Sequence, residues 1–276
     1  MSIWIKESNM TMSVSRILNG LHAYVYGRWT RGYINLLRNL VIPRLSSQGK
    51  KKLADGFHCK VLTHENVKAI ITINRDISKR DLEQIIPYPT ARTFVLKGPP
   101  DIVVYECACR HTREHPCKPT QVCMMIGKSA GDFMLKHHPA RSRKISQAEA
   151  LEILQTEHER GHLHSAWFKD ALGGRFYAIC NCCKCCCFGI NAMVTYGVPM
   201  VASSGYVSHV NETSCNACGA CEAACPFGAI EMNGVASVKW DMCMGCGVCT
   251  SQCPNGGMSL VRDERKGIPL DVRALT

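Results

Sequence analysis

Two cysteine runs hold the clearest chemistry in the chain. Residues 215–226 read Cys215-Asn-Ala-Cys218-Gly-Ala-Cys221-Glu-Ala-Ala-Cys225-Pro226, and residues 243–254 read Cys243-Met-Gly-Cys246-Gly-Val-Cys249-Thr-Ser-Gln-Cys253-Pro254. Both are C-x2-C-x2-C-x3-C-P, repeated with a period of 28 residues. Three thiolates at this spacing wrap a tight loop around one face of an Fe4S4 cube, one iron each. The fourth enters a proline-fixed turn and reaches across to the other cube. One cube is therefore assigned to Cys215, Cys218, Cys221 and Cys253, and the other to Cys243, Cys246, Cys249 and Cys225. Small residues such as Gly219, Ala220, Gly245 and Gly247 let backbone N–H groups approach the sulfides. Zinc sites usually read as two CxxC pairs with a longer gap, which does not describe triplets followed by Cys-Pro. The crossover ties the half-domains together, so metal binding is expected to be folding free energy.

On these motifs, residues 206–262 resemble the dicluster bacterial-type ferredoxin family, set in a longer 4Fe–4S dicluster-domain iron–sulfur protein. The resemblance covers about a fifth of the chain. It implies a pseudo-twofold fold holding two [4Fe–4S] clusters close enough for electron hopping. The second run departs after its proline, with Cys253-Pro-Asn-Gly-Gly where the first has Cys225-Pro-Phe-Gly-Ala. The resemblance carries no activity over to residues 1–200.

Eleven further cysteines precede these runs. Cys59 stands alone and reads as a buried structural thiol. The others form two groups, Cys107, Cys109, Cys117 and Cys123, then Cys180, Cys182, Cys183, Cys185, Cys186 and Cys187. Residues two apart on a strand share a face, so two C-x-C edges facing each other would supply a four-thiolate site. These ten are candidates for a third iron–sulfur cluster or a zinc site, with the ligand subset left open. Inert thiols and a redox-active dithiol are the alternatives. His158 and His162 share a helix face beside Glu157 and Glu159, but the run is not HExxH and Gly161 interrupts it. It reads as a solvated helix end, as do His111, His137 and His138.

The elements that must position these residues are α+β. Apolar spacing predicts a helix over 13–26, capped by Ser13 and ended by Gly27, and a second over 32–41 stopped by Pro43. Residues 61–73 read as helical then extended, and 81–86 as a short helix. Residues 101–109 read as a strand. Ser146 to Glu149 form a capping box opening a helix that ends at Gly161. Residues 173–192 read as a strand leading into a loop. Asn233-Gly234 marks a type I′ hairpin, and 258–262 a final strand. The expected division is a basic helical segment (1–80), a cysteine-rich α+β domain (81–205) and a 2[4Fe–4S] ferredoxin domain (206–276).

Of 276 residues, 46% are apolar, 20% charged and 19 are cysteine. The odd cysteine count, in CxxC and CC runs without an export signal, points to reduced thiols in a cytoplasmic compartment. No apolar run approaches the ~18 residues of a membrane span. The net charge of +11 is uneven: +10 over residues 1–80, +3 over 81–205 and −2 over 206–276. Two oxidised cubes, each about −2 with its thiolates, would deepen that contrast. The basic part, with Lys50-Lys51-Lys52 and Arg-bearing helices around Trp29 and Tyr33, suits an acidic redox partner or peripheral contact with the inner face of a membrane. The alternatives are a solvated face and helices packed on their own protein. No nucleic-acid motif, GxGxxG, Walker loop or GxSxG elbow is present. The favoured reading is a single-electron carrier. An iron–sulfur reductase with a catalytic metal among the central cysteines is the first alternative, and a binding or assembly module with structural clusters the second.

Overall fold

The computed structural model describes residues 14–80, 82–89, 91 and 93–275. The expected cap Ser13 and the first residue of the 81–86 helix lie outside them. The chain opens with α1 (Val14–Arg28) and α2 (Thr30–Leu36), followed by a π-helical turn at Leu37–Val41. Gly27 does not end α1. A side chain there would strike the Phe133 ring, so glycine permits close helix packing instead. The buried side of α1 carries Ala23 and Tyr26, while Leu18, Leu21, Val25 and Trp29 are exposed. The apolar stripe expected from spacing is thus partly turned to solvent.

Next come α3 (Ser47–Gly56), β1 (Phe57–Leu62), α4 (His64–Thr72), β2 (Ile77–Arg80), β3 (Thr93–Leu96), β4 (Ile102–Glu106), α5 (Ala108–His111) and β5 (Gln121–Ile126). The expected order over 61–73 is reversed: the strand comes first. Ala69–Thr72 is helical because Val67, Ile70 and Ile71, at helical spacing, form the buried face of α4, and Thr63 caps it through Asn66 N–H. The chain continues through α6 (Lys128–His137), β6 (Ser142–Ile145), α7 (Gln147–Glu159), β7 (Leu163–Lys169), β8 (Arg175–Cys182), α8 (Phe188–Tyr196) and β9 (Val201–Ala202). The Ser146 side chain accepts from Glu149 N–H, and Gly161 follows α7 with φ +74°.

Among the described residues β1 to β9 form one mixed nine-stranded sheet, ordered β6-β4-β5-β8-β7-β1-β9, with β3 bridging β2 to β8. Every residue of β7 is buried, as expected of a central strand covered on both faces. The strand β1 pairs antiparallel with β7 from Phe57↔Lys169 to Leu62↔His164. The expected boundary at residue 80 therefore finds no counterpart in the sheet, which takes strands from both sides of it. Long-range pairing of this kind leaves no local mark in a sequence.

The last segment holds β10 (Tyr206–Val210), α9 (Ala220–Ala224), β11 (Ile230–Asn233), β12 (Val235–Val238), α10 (Val248–Gln252) and β13 (Met258–Arg262). β10 pairs antiparallel with β13, and β11 with β12. The hairpin is not the expected type I′ turn. Asn233 pairs with Val235 and only Gly234 has positive φ, whereas type I′ needs positive φ at both central residues.

Candidate metal centres

In the C-terminal segment each triplet precedes or enters a short helix, and each helix ends at a Cys-Pro pair. Left-handed Gly219 and Gly247 cap α9 and α10. A cavity with ≈ 300 Å³ of empty space is lined by Cys215, Cys218 and Cys221 from the first run and by Cys253 from the second. Cys225 sits within electrostatic reach of Cys246 and Cys249, on the side of the other triplet. Backbone amides address the sulfurs in matching places: Ala229 N–H donates to Cys225 Sγ (3.3 Å) and Gly257 N–H to Cys253 Sγ (3.2 Å). Ser208 adds N–H to Cys243 Sγ (3.4 Å) and an Oγ contact to Cys249 Sγ (3.0 Å). Ser208 has no motif signal and escaped the sequence reading.

Burial pushes the Cys249 thiol up to about 11 and Cys246 higher still. Proton loss at such sites needs a compensating cation. Four sulfur donors around one cavity, with N–H groups aimed at sulfur, fit an iron–sulfur cube. Residues 209–231 and 236–259 match the family model described as the 4Fe-4S binding domain. Residues 209–259 form an iron–sulfur, ferredoxin-type domain. No curated protein matches the chain.

Ahead of this ferredoxin domain, the central cysteines do not form two facing C-x-C strand edges; on neighbouring strands lie only Cys123 of β5 and Cys180 and Cys182 of β8. Cys107 follows β4 and caps α5, which carries Cys109. Only Cys180 and Cys182 are on β8; residues 183–187, four cysteines and Lys184, make the connection into α8. The expected alternation of Cys183, Cys185 and Cys187 is therefore absent.

Tertiary folding divides the ten into six and four. Six thiols are neighbours in a ring that acts on their ionisation: Cys107 beside Cys109, then Cys187, Cys182, Cys180, Cys123 and back to Cys107. These six, with Cys183 and Cys186, line a cavity with ≈ 540 Å³ of empty space. The Cys109 hydrogen bond, with burial, pushes the Cys107 thiol up to about 12. Cys182 goes the other way, lowered by its bonds from Cys180 and Cys187 against burial. The remaining four, Cys117, Cys183, Cys185 and Cys186, have their Sγ atoms within 4.8 Å of one another. Cys59 is buried beside Ser165.

Arg110, fully buried, forms part of the cavity wall. It pairs with buried Glu157 at 2.6 Å and donates to the Asn181 carbonyl. His162 also turns to Glu157 (2.7 Å). His158 instead stacks on His64, ring centroids 4.2 Å apart. The two histidines expected on one face thus separate, since the chain breaks at left-handed Gly161. His64, His158 and His164 come together. Burial lowers His158 to about 4 and His164 to about 3, so all stay neutral at pH 7. Both nitrogens of His64 and His164 are engaged within the protein: His64 with His164 (3.2 Å) and Gln155 (3.0 Å), His164 also with Asn181 (2.6 Å). The trio is a hydrogen-bonded stack. His138 contacts the Gly27 carbonyl at 2.9 Å, and His111 pairs with Glu106 at 2.9 Å, so neither is a merely solvated side chain.

The two parts of the chain touch. Lys184 Nζ donates to the Ala223 carbonyl at 3.0 Å, joining the cysteine loop to the helix between Cys221 and Cys225. Ser251 and Gln252 of α10 donate to the carbonyls of His158 and Glu159.

Proposed function

We propose that the chain is an electron-transfer protein whose ferredoxin domain holds two [4Fe–4S] clusters in a pseudo-twofold arrangement. The ligand sets are Cys215, Cys218, Cys221 with Cys253, and Cys243, Cys246, Cys249 with Cys225. The observation that carries this reading is the cavity in which Cys253 of the second run completes the first triplet. Each bound cluster supplies one-electron exchange. The protein holds the thiolates, directs N–H groups of Ala229, Gly257 and Ser208 at sulfur, and excludes water with Val248, Ile230 and Met258. Hydrogen bonds to sulfur stabilise the more reduced, more negative state and so tune the potential.

Residues 1–80 dock an acidic redox partner in this reading. Exposed Leu18, Leu21, Val25, Trp29 and Leu40 supply apolar surface, and exposed Arg31, Lys51 and Lys52 supply charge. No helix among the described residues is long and apolar enough to cross a membrane. The division at 205 and the cytoplasmic setting remain parts of the proposal.

A second reading is favoured by the thiol-lined cavity. A third cluster there would receive electrons across the Lys184–Ala223 contact and make the chain, or the complex it serves, a reductase. Anaerobic iron and sulfide analysis with EPR of the reduced protein separates the readings. About eight irons in cubes matches two clusters, and about twelve adds the third. Cys253→Ser is expected to perturb the cluster on the 215–221 triplet, and Cys225→Ser the other. If either substitution affects only its own run's triplet, the crossover is wrong.

A further inference from the structure

We propose that Cys117, Cys183, Cys185 and Cys186 bind one tetrahedral, thiophilic divalent ion, zinc or iron(II), at the edge of the thiol-lined cavity, which clips together the two loops carrying its thiols. All four Sγ atoms lie within 4.8 Å of one another. Cys117 Sγ is 3.0 Å from Cys185 Sγ, and Cys185 Sγ is 3.5 Å from Cys186 Sγ. Four sulfurs each about 2.3 Å from one ion stand about 3.8 Å apart, so the group has the size of a single-ion shell. A cube gives each thiolate its own iron and spreads its ligands more widely. Among the described residues the ferredoxin cysteines form no group this close. An all-sulfur tetrahedral set selects zinc or iron over hard cations.

The placement in the chain explains what such an ion does. Cys117 lies between Cys109 and Cys123, both cavity thiols. Cys183, Cys185 and Cys186 lie between Cys182 and Cys187, also cavity thiols, and Cys183 and Cys186 themselves border the cavity. One ion held by the four fixes the middle of each loop and so sets the cavity thiols at its ends. Cys185 is exposed and Cys117 partly so, leaving the site reachable from solvent. Loading exchanges four thiol protons for one divalent ion, leaving a complex of charge −2 and releasing four protons. Two buried guanidinium groups stand ready for that charge. Arg38 donates to the Cys186 carbonyl at 2.7 Å, Arg110 borders Cys183, and the Nε of each has no partner.

The test uses the full chain purified anaerobically with its clusters. Zinc, iron and acid-labile sulfide are counted, and the zinc K-edge is read after growth in zinc-supplemented medium. The expected result is one zinc with four sulfur neighbours, or one iron in excess of sulfide. Cys117→Ser combined with Cys185→Ser should lose that single equivalent and leave the ferredoxin EPR signals in place. Three results overturn the proposal: no zinc with iron equal to sulfide, loss of four irons rather than one ion in the variant, or a Cys117–Cys185 disulfide in the mass spectrum. If the variant does not accumulate, the wild-type edge and iron-to-sulfide ratio decide.

Discussion

Arg110 places a positive charge in the wall of a thiol-lined cavity with no exposure to solvent. Only a held counter-charge makes that tolerable. Glu157 supplies it, taking Arg110 and His162 on Oε2 and Arg160 on Oε1. Burial pushes the Glu157 carboxyl up, but the hydrogen bonds of His162 and Arg110 prevail and hold it at about 2, against an ordinary 4.5. A depressed carboxylate contributes stability that is complete above its unfolded value and lost as pH falls through the folded one. Stability should therefore decline between pH 4.5 and pH 2. Glu157→Gln, which strands the guanidinium, should cost about 3–5 kcal/mol at neutral pH and flatten that acid limb. Urea unfolding at several pH values measures both. An unchanged neutral-pH midpoint would show that Arg110 draws its compensation from elsewhere, such as a loaded cavity.

At the scale of the element, the two cluster loops share a backbone requirement that their side chains conceal. The third residue of each first Cys-x-x-Cys step is left-handed: Ala217 with φ 59° and Gly245 with φ 60°. A non-glycine residue there costs roughly 1–2 kcal/mol. Ala217 bears that strain, whereas at Gly245 a Cβ would also collide with the Tyr206 carbonyl and Ser204 Oγ. Gly245→Ala should thus weaken the 243–249 site, seen as lost cluster absorbance and a lower Tm. Ala217→Gly relieves strain but frees the unfolded chain, so its effect should stay within about 1 kcal/mol. Equal damage from both substitutions would contradict this account.

For the whole molecule, the nine-stranded sheet supplies most of the buried apolar side chains, while the ferredoxin domain adds a smaller set, among them Phe227, Ile230, Val248 and Met258, in which the cysteines Cys221, Cys225, Cys243 and Cys249 are themselves buried. Its cohesion should depend on metal. Removing the clusters anaerobically with a chelator under oxidising conditions is expected to abolish hydrogen-exchange protection in β10 to β13 while leaving β1, β7 and β8 protected. Simultaneous loss in both parts would mean that the contacts through Lys184, Ser251 and Gln252 make one cooperative unit.

The repeated C-x2-C-x2-C-x3-C-P spacing determined the ferredoxin-type domain without help from the fold, because its cluster chemistry is written in residues close in sequence. The Ser146 cap and the strand at 258–262 were legible for the same reason: the groups that decide them are local. The central cysteines were not. Counting showed that ten thiols were present, but their division into a ring of six and a knot of four depends on bringing Cys117 and Cys123 against the 180–187 segment. The buried Arg110–Glu157 pair, the His64–His158 stack and the passage of one sheet across residue 80 have the same origin. Each joins partners far apart in the chain, and only the closed tertiary structure brings them within contact distance.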